Sequence, residues 1–418
     1  MSWSSLGNKQ IVTFENLLDG VNSGALTAKT GIPSSKEAIT KADAFTYVNV
    51  DITNPSYANK TSNQLVTKND IAGYSGRIYA INDTTTNYFK TPEYGTLMYS
   101  DDGGYNWTND TSIYGFSVSR SGSGQYVLVS YTSTTLRVSN NYGSSYTTIT
   151  LPSSPYSGYL CGTAMSTDGQ YMFVITYGGN VINPLIYKSS DYGSTWTLAY
   201  QYVLGSSDYI EAPPYAKIDV SGNGQYVTAV INKQNSSFSW GARIIRSTNY
   251  GSTFSVSGDY TNRYWTDVAI NSTGQYQLFT RMSSYGTGNT LGQGAINWSN
   301  NYGAGTSQKI YEEDMRPLYC SMSTSGQYML VAFINNTDSV NKFYYSTNYG
   351  VSWSSFNTNP VPPYAGGMPG GVFVSPGGGY ALITYVNRPE ITYTTNFTNW
   401  YTTQISTSYT FGGMNKSK

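Results

Sequence analysis

The sequence predicts an all-β fold, a seven-bladed β-propeller of four-stranded antiparallel blades behind a small extended or helical N-terminal arm. Three observations lead there. The 418 residues include 42 Tyr and 43 Gly but only 11% charged groups. Tyr and Thr suit half-buried strands, whereas Gly and Asn suit turns. A motif of the form Ser-x-Asp/Asn-x-Gly-x-Ser/Thr-aromatic recurs about every 49 residues. A second motif, Ser-x-x-Gly-Gln-Tyr, alternates with it, and β-like runs flank both. One repeat therefore holds four strands and two turns, the pattern of a propeller blade of ~40–50 residues.

Residues 1–70 carry neither motif. TFENLLDGV reads as a short helix limited by Gly20, and Thr40 to Asp43 fits a capping box ahead of AFTYV. Neither piece forms much of a core, so the arm is expected to be tied to a partner or to another copy. The propeller is expected over 71–412. Its first blade shows only three strand-like runs, RIYAIN, TLMYS and NWTND. The seventh is complete near Ser406, which leaves STSYTFGG unused. Residues 407–413 are therefore expected to pair into blade one and close the ring without a long exposed edge, with 414–418 as a free tail.

Between these ends the first motif appears as SDDGGYNW from Ser100, SNNYGSSY from Ser139, SSDYGSTW from Ser189, STNYGSTF from Ser247 and STNYGVSW from Ser346. SNNYGAGT from Ser299 lacks the tail, and TTNFTNWY from Thr394 lacks the Gly. Seven copies imply seven blades. The second motif sits around Gln125, Gln170, Gln225, Gln275 and Gln327, with a weaker copy ending at Tyr380. From Ala216 the blade can be read strand by strand. KIDVS alternates, GNGQ turns, YVTAVIN is apolar enough to be covered on both faces, ARIIRS follows, TNYG turns, and TFSVSG ends the blade. Cys161 and Cys320 fall on the first strands of blades three and six. Those blades are not neighbours, so the two are expected to be separate buried thiols.

The first motif resembles the Asp box, or BNR repeat; Ser189, Asp191, Gly193, Thr195 and Trp196 match it in full, and the resemblance covers about 72–412. It implies a structural turn between the third and fourth strands of a blade. In it the side chains of Asp102, Asn141, Asp191, Asn249, Asn301 and Asn348 bond backbone N–H groups, Gly takes the strained position, and the aromatic packs between blades.

Composition narrows the chemistry. The absence of His removes His-based nucleophile systems, proton shuttles and metal sites. Two Cys are too few for a zinc site, so neither metal nor cofactor is expected. Charges balance at 23 against 23, which gives no field for nucleic acid. No apolar run reaches the ~18 residues of a membrane span, and the N-terminus lacks the pattern of a signal peptide. Asp-box propellers include sialidases, which need an arginine triad, a Tyr–Glu pair and an acidic Asp. None of the nine Arg here sits in that family's Arg-Ile-Pro setting, and Glu312, Glu313 and Asp314 form the one carboxylate cluster, in an expected loop. Propeller photosystem-assembly factors carry a similar repeat, but the attached arm and the missing export signal fit them poorly.

A non-enzymatic role is therefore expected. Both motif turns lie on one face of the disc, and the remaining connections, long and irregular, lie on the other. Variable loops on a rigid scaffold are where binding usually resides. These carry Tyr88, Phe89, Tyr209, Phe238, Trp240, Tyr264, Tyr285 and Tyr364, aromatics suited to sugar rings. The segments IPSSKEAITKADAFTYVNVD and SNQLVTKNDI look like the leader of structural proteins in tailed phages. That resemblance implies a virion surface protein, made in the host cytoplasm without a signal peptide. It would be anchored to other virion proteins through residues 1–70, present in many copies or as an oligomer, and able to meet a host-surface glycan. The alternatives are a sialidase-like enzyme or free lectin, and a purely architectural decoration protein.

Overall fold

The computed structural model describes residues 77–82, 95–104, 106–132, 134–152, 159–177, 183–205, 208–209, 216–235, 240–261, 263–283, 293–335, 341–358, 369–385, 388–409 and 411–414. The N-terminal unit, Met1–Gly76, lies outside them, and with it the expected helix and capping box. The second unit is a seven-bladed β-propeller of antiparallel sheets. Its innermost strands are Phe411–Met414, Ser117–Arg120, Tyr159–Met165, Lys217–Val220, Arg263–Ile270, Met315–Met322 and Pro369–Val374, side by side around the axis in that order.

The C-terminal strand closes blade one. Ala80 pairs with Met414 and Asn82 with Phe411, inside Ile78–Asn82, Gly95–Ser100 and Thr108–Gly115. The closing segment is Phe411–Met414, not 407–413. The outer strand of blade seven, Tyr401–Tyr409, runs on as an alternating polar sequence and still reaches Arg388 through Tyr409. Met414 accordingly belongs to the ring and not to a free tail. Blade four carries one strand more than the repeat calls for, since Asp208–Tyr209 pairs with Gln234 and Asn235.

Packing between blades makes the core. In blade four, Val227, Ala229 and Ile231 pack with Ile218 and Val220 against Phe173, Ile175 and Ile186 of blade three. Val230 faces the other way, onto Trp265 and Phe279 of blade five. That two-sided burial is why the run is continuously apolar, each such side chain contributing about 1.5–3 kcal/mol. Polar clasps bridge the innermost strands. Ser117 Oγ accepts from Thr163 N at 3.2 Å, Asp219 Oδ2 from Ile270 N at 2.7 Å, Asp267 Oδ2 from Cys320 N at 3.0 Å and Ser321 Oγ from Val374 N at 3.1 Å. Cys320 is a buried thiol on the innermost strand of blade six, its Sγ donating to Leu278 O at 3.9 Å.

A backbone hoop ties the first turns together. Gly122 N donates to Thr167 O, Thr167 N to Gly222 O, Gly222 N to Ser272 O, Ser272 N to Thr324 O, and Thr324 N to Pro376 O, all at 2.7–3.0 Å. The series stops at Pro376, which has no N–H to pass on.

In five blades the second turn is held by its Ser and its Asp or Asn. Ser189 Oγ accepts from Gly193 N at 2.9 Å and donates to Asp191 Oδ1 at 2.7 Å. Asp191 accepts from Thr195 N at 2.9 Å and Thr195 Oγ1 at 2.6 Å, while Trp196 Nε1 donates to Gly193 O at 3.0 Å. Asp102, Asn141, Asn249 and Asn348 repeat the contact to the backbone N–H four residues on, at 2.8–3.0 Å. At the copy with the truncated tail, Ser299 Oγ still accepts from Asn301 N at 3.3 Å.

The slight burial of the Asp191 carboxyl favours its neutral form, but the hydrogen bonds from Thr195 and Ser189 outweigh this and hold it below its ordinary value. A depressed carboxyl stabilises the fold above its unfolded pKa and loses that contribution as pH falls through its folded pKa. Chemical denaturation from pH 6 down to pH 2 should therefore show an acid-side loss that Asp191→Asn makes smaller. The neutral amide already serves at Asn141, Asn249 and Asn348. An identical pH profile for the variant would refute this account.

Candidate functional site

Three regions compete for function: the rim of motif turns, the axial cavity, and the face of irregular connections.

On the rim, the two motifs meet across each blade boundary. Tyr126 of blade two stacks on Tyr192 of blade three with ring centroids 5.1 Å apart. Tyr171 meets Tyr250 at 5.0 Å, Tyr226 meets Tyr302 at 4.7 Å, Tyr276 meets Tyr349 at 5.1 Å and Tyr328 meets Phe397 at 5.0 Å. The glycine of the next Gly-Gln-Tyr turn lies against the first tyrosine of each pair: a Cβ on Gly224 would sit 2.4 Å from the Tyr171 ring. Each such tyrosine is held between a ring and a glycine.

The glycine takes a strained position as expected, and the residue before it takes one as well. Tyr142, Tyr192, Tyr250, Tyr302, Tyr349 and Phe397 are left-handed, with φ between 51° and 62°, and the glycine after each of the five tyrosines has positive φ as well. Such a backbone costs a bulky residue on the order of 1–3 kcal/mol. A hydrogen bond from each tyrosine N to the Gln C=O of its own blade, at 3.0–3.2 Å, holds it there.

Two boundaries depart from the pattern. Tyr380 has Gly103 opposite it and donates from its OH to Gly103 O at 2.5 Å. Arg77 stands where the other blades carry the tyrosine. It forks onto Asp101 at 2.7 and 2.9 Å, lies 4.0 Å above the Tyr99 ring and donates to Tyr142 O at 3.2 Å. The bond to Asp101 raises the Arg77 pKa against the opposing effect of burial.

The axial cavity encloses about 70 Å³ and opens to solvent at its mouth. Every blade contributes to its wall, and its polar lining includes Ser117, Ser119, Arg120, Thr163, Lys217 and Asp219, with Asp267. Asp219 and Asp267 spend carboxylate oxygens on the inter-blade clasps.

The acidic cluster lies where blade five passes into blade six. Ser307–Glu312 passes into Met315–Met322 through a tight turn with Asp314 at φ 58°. Glu312 Oε1 accepts from Lys342 Nζ of the next blade at 2.7 Å and from Tyr344 OH. Burial alone would lower the Lys342 pKa, but the bond to Glu312 raises it; burial and Glu312 together raise that of Tyr344.

On the irregular face, Tyr88, Phe89, Phe238, Tyr285 and Tyr364 lie outside the described residues. Tyr209 and Trp240 are in strands, not loops. Tyr209 pairs with Gln234, and Gln234 pairs on its other side with Trp240, so blade four sets them in one backbone row. Tyr264 is a correction. DYTNRY is not an open loop, because strands Ser255–Thr261 and Arg263–Ile270 occupy all but one residue between Asp259 and Tyr264. Tyr264 is 5% exposed and cannot serve as a contact residue. The cause is Asn232, whose amide accepts from Trp265 N and donates to Trp265 O, both at 2.8 Å, so that the strand begins early.

No family model matches the chain, and no curated protein matches it. Among solved structures, a protein from Lactobacillus plantarum aligns at 11% identity and TM-score 0.51 over 81% of this chain and 98% of its own. A functionally unknown protein from Desulfotomaculum acetoxidans aligns at 10% identity and TM-score 0.51 over 82% of this chain and 99% of its own. Likeness at this level is one of fold: the chain is similar to other β-propellers in architecture.

Proposed function

We propose that this is a non-enzymatic virion surface protein of a tailed phage, attached to other virion proteins through residues 1–70 and present in many copies. Its propeller, of the Asp-box type, meets a host-surface glycan with the face of irregular connections. The observation that carries this reading is the added strand Asp208–Tyr209. It extends blade four at the end away from the motif turns and places Tyr209 and Trp240 in one row with Gln234. Aromatic and amide residues on a rigid lattice suit sugar rings at low entropic cost. Repetition of a weak site over many copies supplies avidity.

The test is adsorption of particles carrying Tyr209→Ala together with Trp240→Ala. Adsorption should slow by at least about fivefold, because interface aromatics carry much of the binding energy. It should depend only modestly on salt, given the balanced charge. Unchanged adsorption by correctly folded variants would remove these residues from the contact. Absence of the protein from the mass spectrum of purified particles would favour a free lectin or enzyme.

A further inference from the structure

The innermost strands follow a positional rule. Four residues before Ser121, Ser221, Asn271 and Ser323 stand Ser117, Lys217, Asp267 and Tyr319; two residues before them stand Ser119, Asp219, Ala269 and Ser321. At the first of these positions Ser117 and Asp267 accept the amide of the next blade, and at the second Asp219 and Ser321 do so. Ala269 has no side-chain polar group to clasp with, and Lys217 and Ser119 stand at clasp positions without clasping. Lys217 has only donors to offer, and the Val268 amide it would have met turns instead to Asp267 Oδ1 at 2.9 Å. Ser119 is 8% exposed, and its Oγ is buried without a hydrogen-bond partner.

Both residues line the axial cavity. Lys217 has no ion-pair or hydrogen-bond partner for its ammonium among the described residues. The cavity wall also carries Arg120 and two carboxylates; Asp267 accepts from Val268 N and Cys320 N, and Asp219 Oδ2 accepts from Ile270 N. A buried hydroxyl left unsatisfied costs about 1–3 kcal/mol, so a group that accepts its hydrogen bond gains what the fold has left unmade. An unclaimed cation and an unclaimed hydroxyl on one cavity wall call for an anion that accepts hydrogen bonds. We propose that the axial cavity is a binding site for a carboxylate, with Lys217 Nζ as counter-charge and Ser119 Oγ as hydrogen-bond donor, the rest of the ligand filling the open mouth. This does not depend on the adsorption reading, which concerns Tyr209 and Trp240.

The experiment is calorimetric titration of the full chain with sodium D-glucuronate, sodium succinate and D-glucose. At least one carboxylate should bind, and at least about tenfold more tightly than glucose, the usual weight of a charge-assisted bond. Lys217→Gln should weaken that binding about tenfold or more and Ser119→Ala by a few-fold, with thermal midpoints near that of the parent protein. Binding of glucuronate but not succinate would mark the ligand as a sugar acid; binding of both would mark it as a general carboxylate. Failure of both to bind, or affinity unchanged in Lys217→Gln, would overturn the proposal.

Discussion

A chain ended after Tyr409 should be destabilised by at least about 4 kcal/mol, in the range reached only when a core element is lost. Removing Phe411–Met414 takes the innermost strand out of blade one and leaves Ile78–Asn82 as an unpaired edge. Ile78, Tyr79, Ala80 and Ile81, now at most 2% exposed, would border the gap. The loss is cooperative, because the closing strand also stands between the innermost strands of blades seven and two. Thermal and guanidinium unfolding measure it. Ending the chain after Met414 instead should change stability by no more than about 0.5 kcal/mol. A 409-residue chain with the parent midpoint would show that the ring does not rely on its closure.

The second large effect is expected at Gly224. Replacement by Ala forces a β-carbon onto a left-handed residue at φ 83° and into the Tyr171 side chain, with Cδ2, Cγ and Cβ at 2.4, 2.6 and 2.9 Å. Tyr171 cannot retreat, since its ring lies 5.0 Å from that of Tyr250. Left-handed strain of about 1–2 kcal/mol adds to overpacking of about 1–3 kcal/mol, so Gly224→Ala should cost roughly 2–5 kcal/mol. Gly305 is the control: nothing lies within 4 Å of its β-carbon position, and Gly305→Ala should be neutral or slightly stabilising. Equal effects at both sites in denaturant titrations would refute the sandwich as a source of stability.

The blade count was legible in the sequence because each blade carries one copy of the Ser-x-Asp/Asn-x-Gly turn, degenerate in blade seven as TTNFTNWY, and closure was legible because blade one came up a strand short. The role of Gly-Gln-Tyr was only half legible. Its glycine reads as a turn former, but its second duty, making room for Tyr171 or its equivalents, depends on how blade n faces blade n + 1, and no local pattern reports that. The same holds for the left-handed tyrosines, whose strain is offset by a bond to a Gln carbonyl some 17 to 27 residues earlier. Tyr264 was misplaced because DYTNRY is polar enough to read as a loop. The device that makes it strand is a side-chain amide, Asn232, from the preceding blade. Lys217 was visible as a residue, but that it stands where Ser117 and Asp267 clasp the next blade depends on how the innermost strands face one another.

The hoop of turn amides runs from Gly122 to Pro376 and skips only blade one, where the ends of the propeller's chain meet as antiparallel neighbours at Ala80 and Met414. Topologically, blade one is an ordinary blade whose first hairpin has been severed, with Arg77 standing where the intact hairpins place their tyrosine. Which blade the propeller's chain opens in is therefore a matter of strand order and not of the ring's architecture. Any of the other six hairpins offers an equivalent opening, and a circularly permuted gene that fused the present ends and cut elsewhere would encode the same closed object.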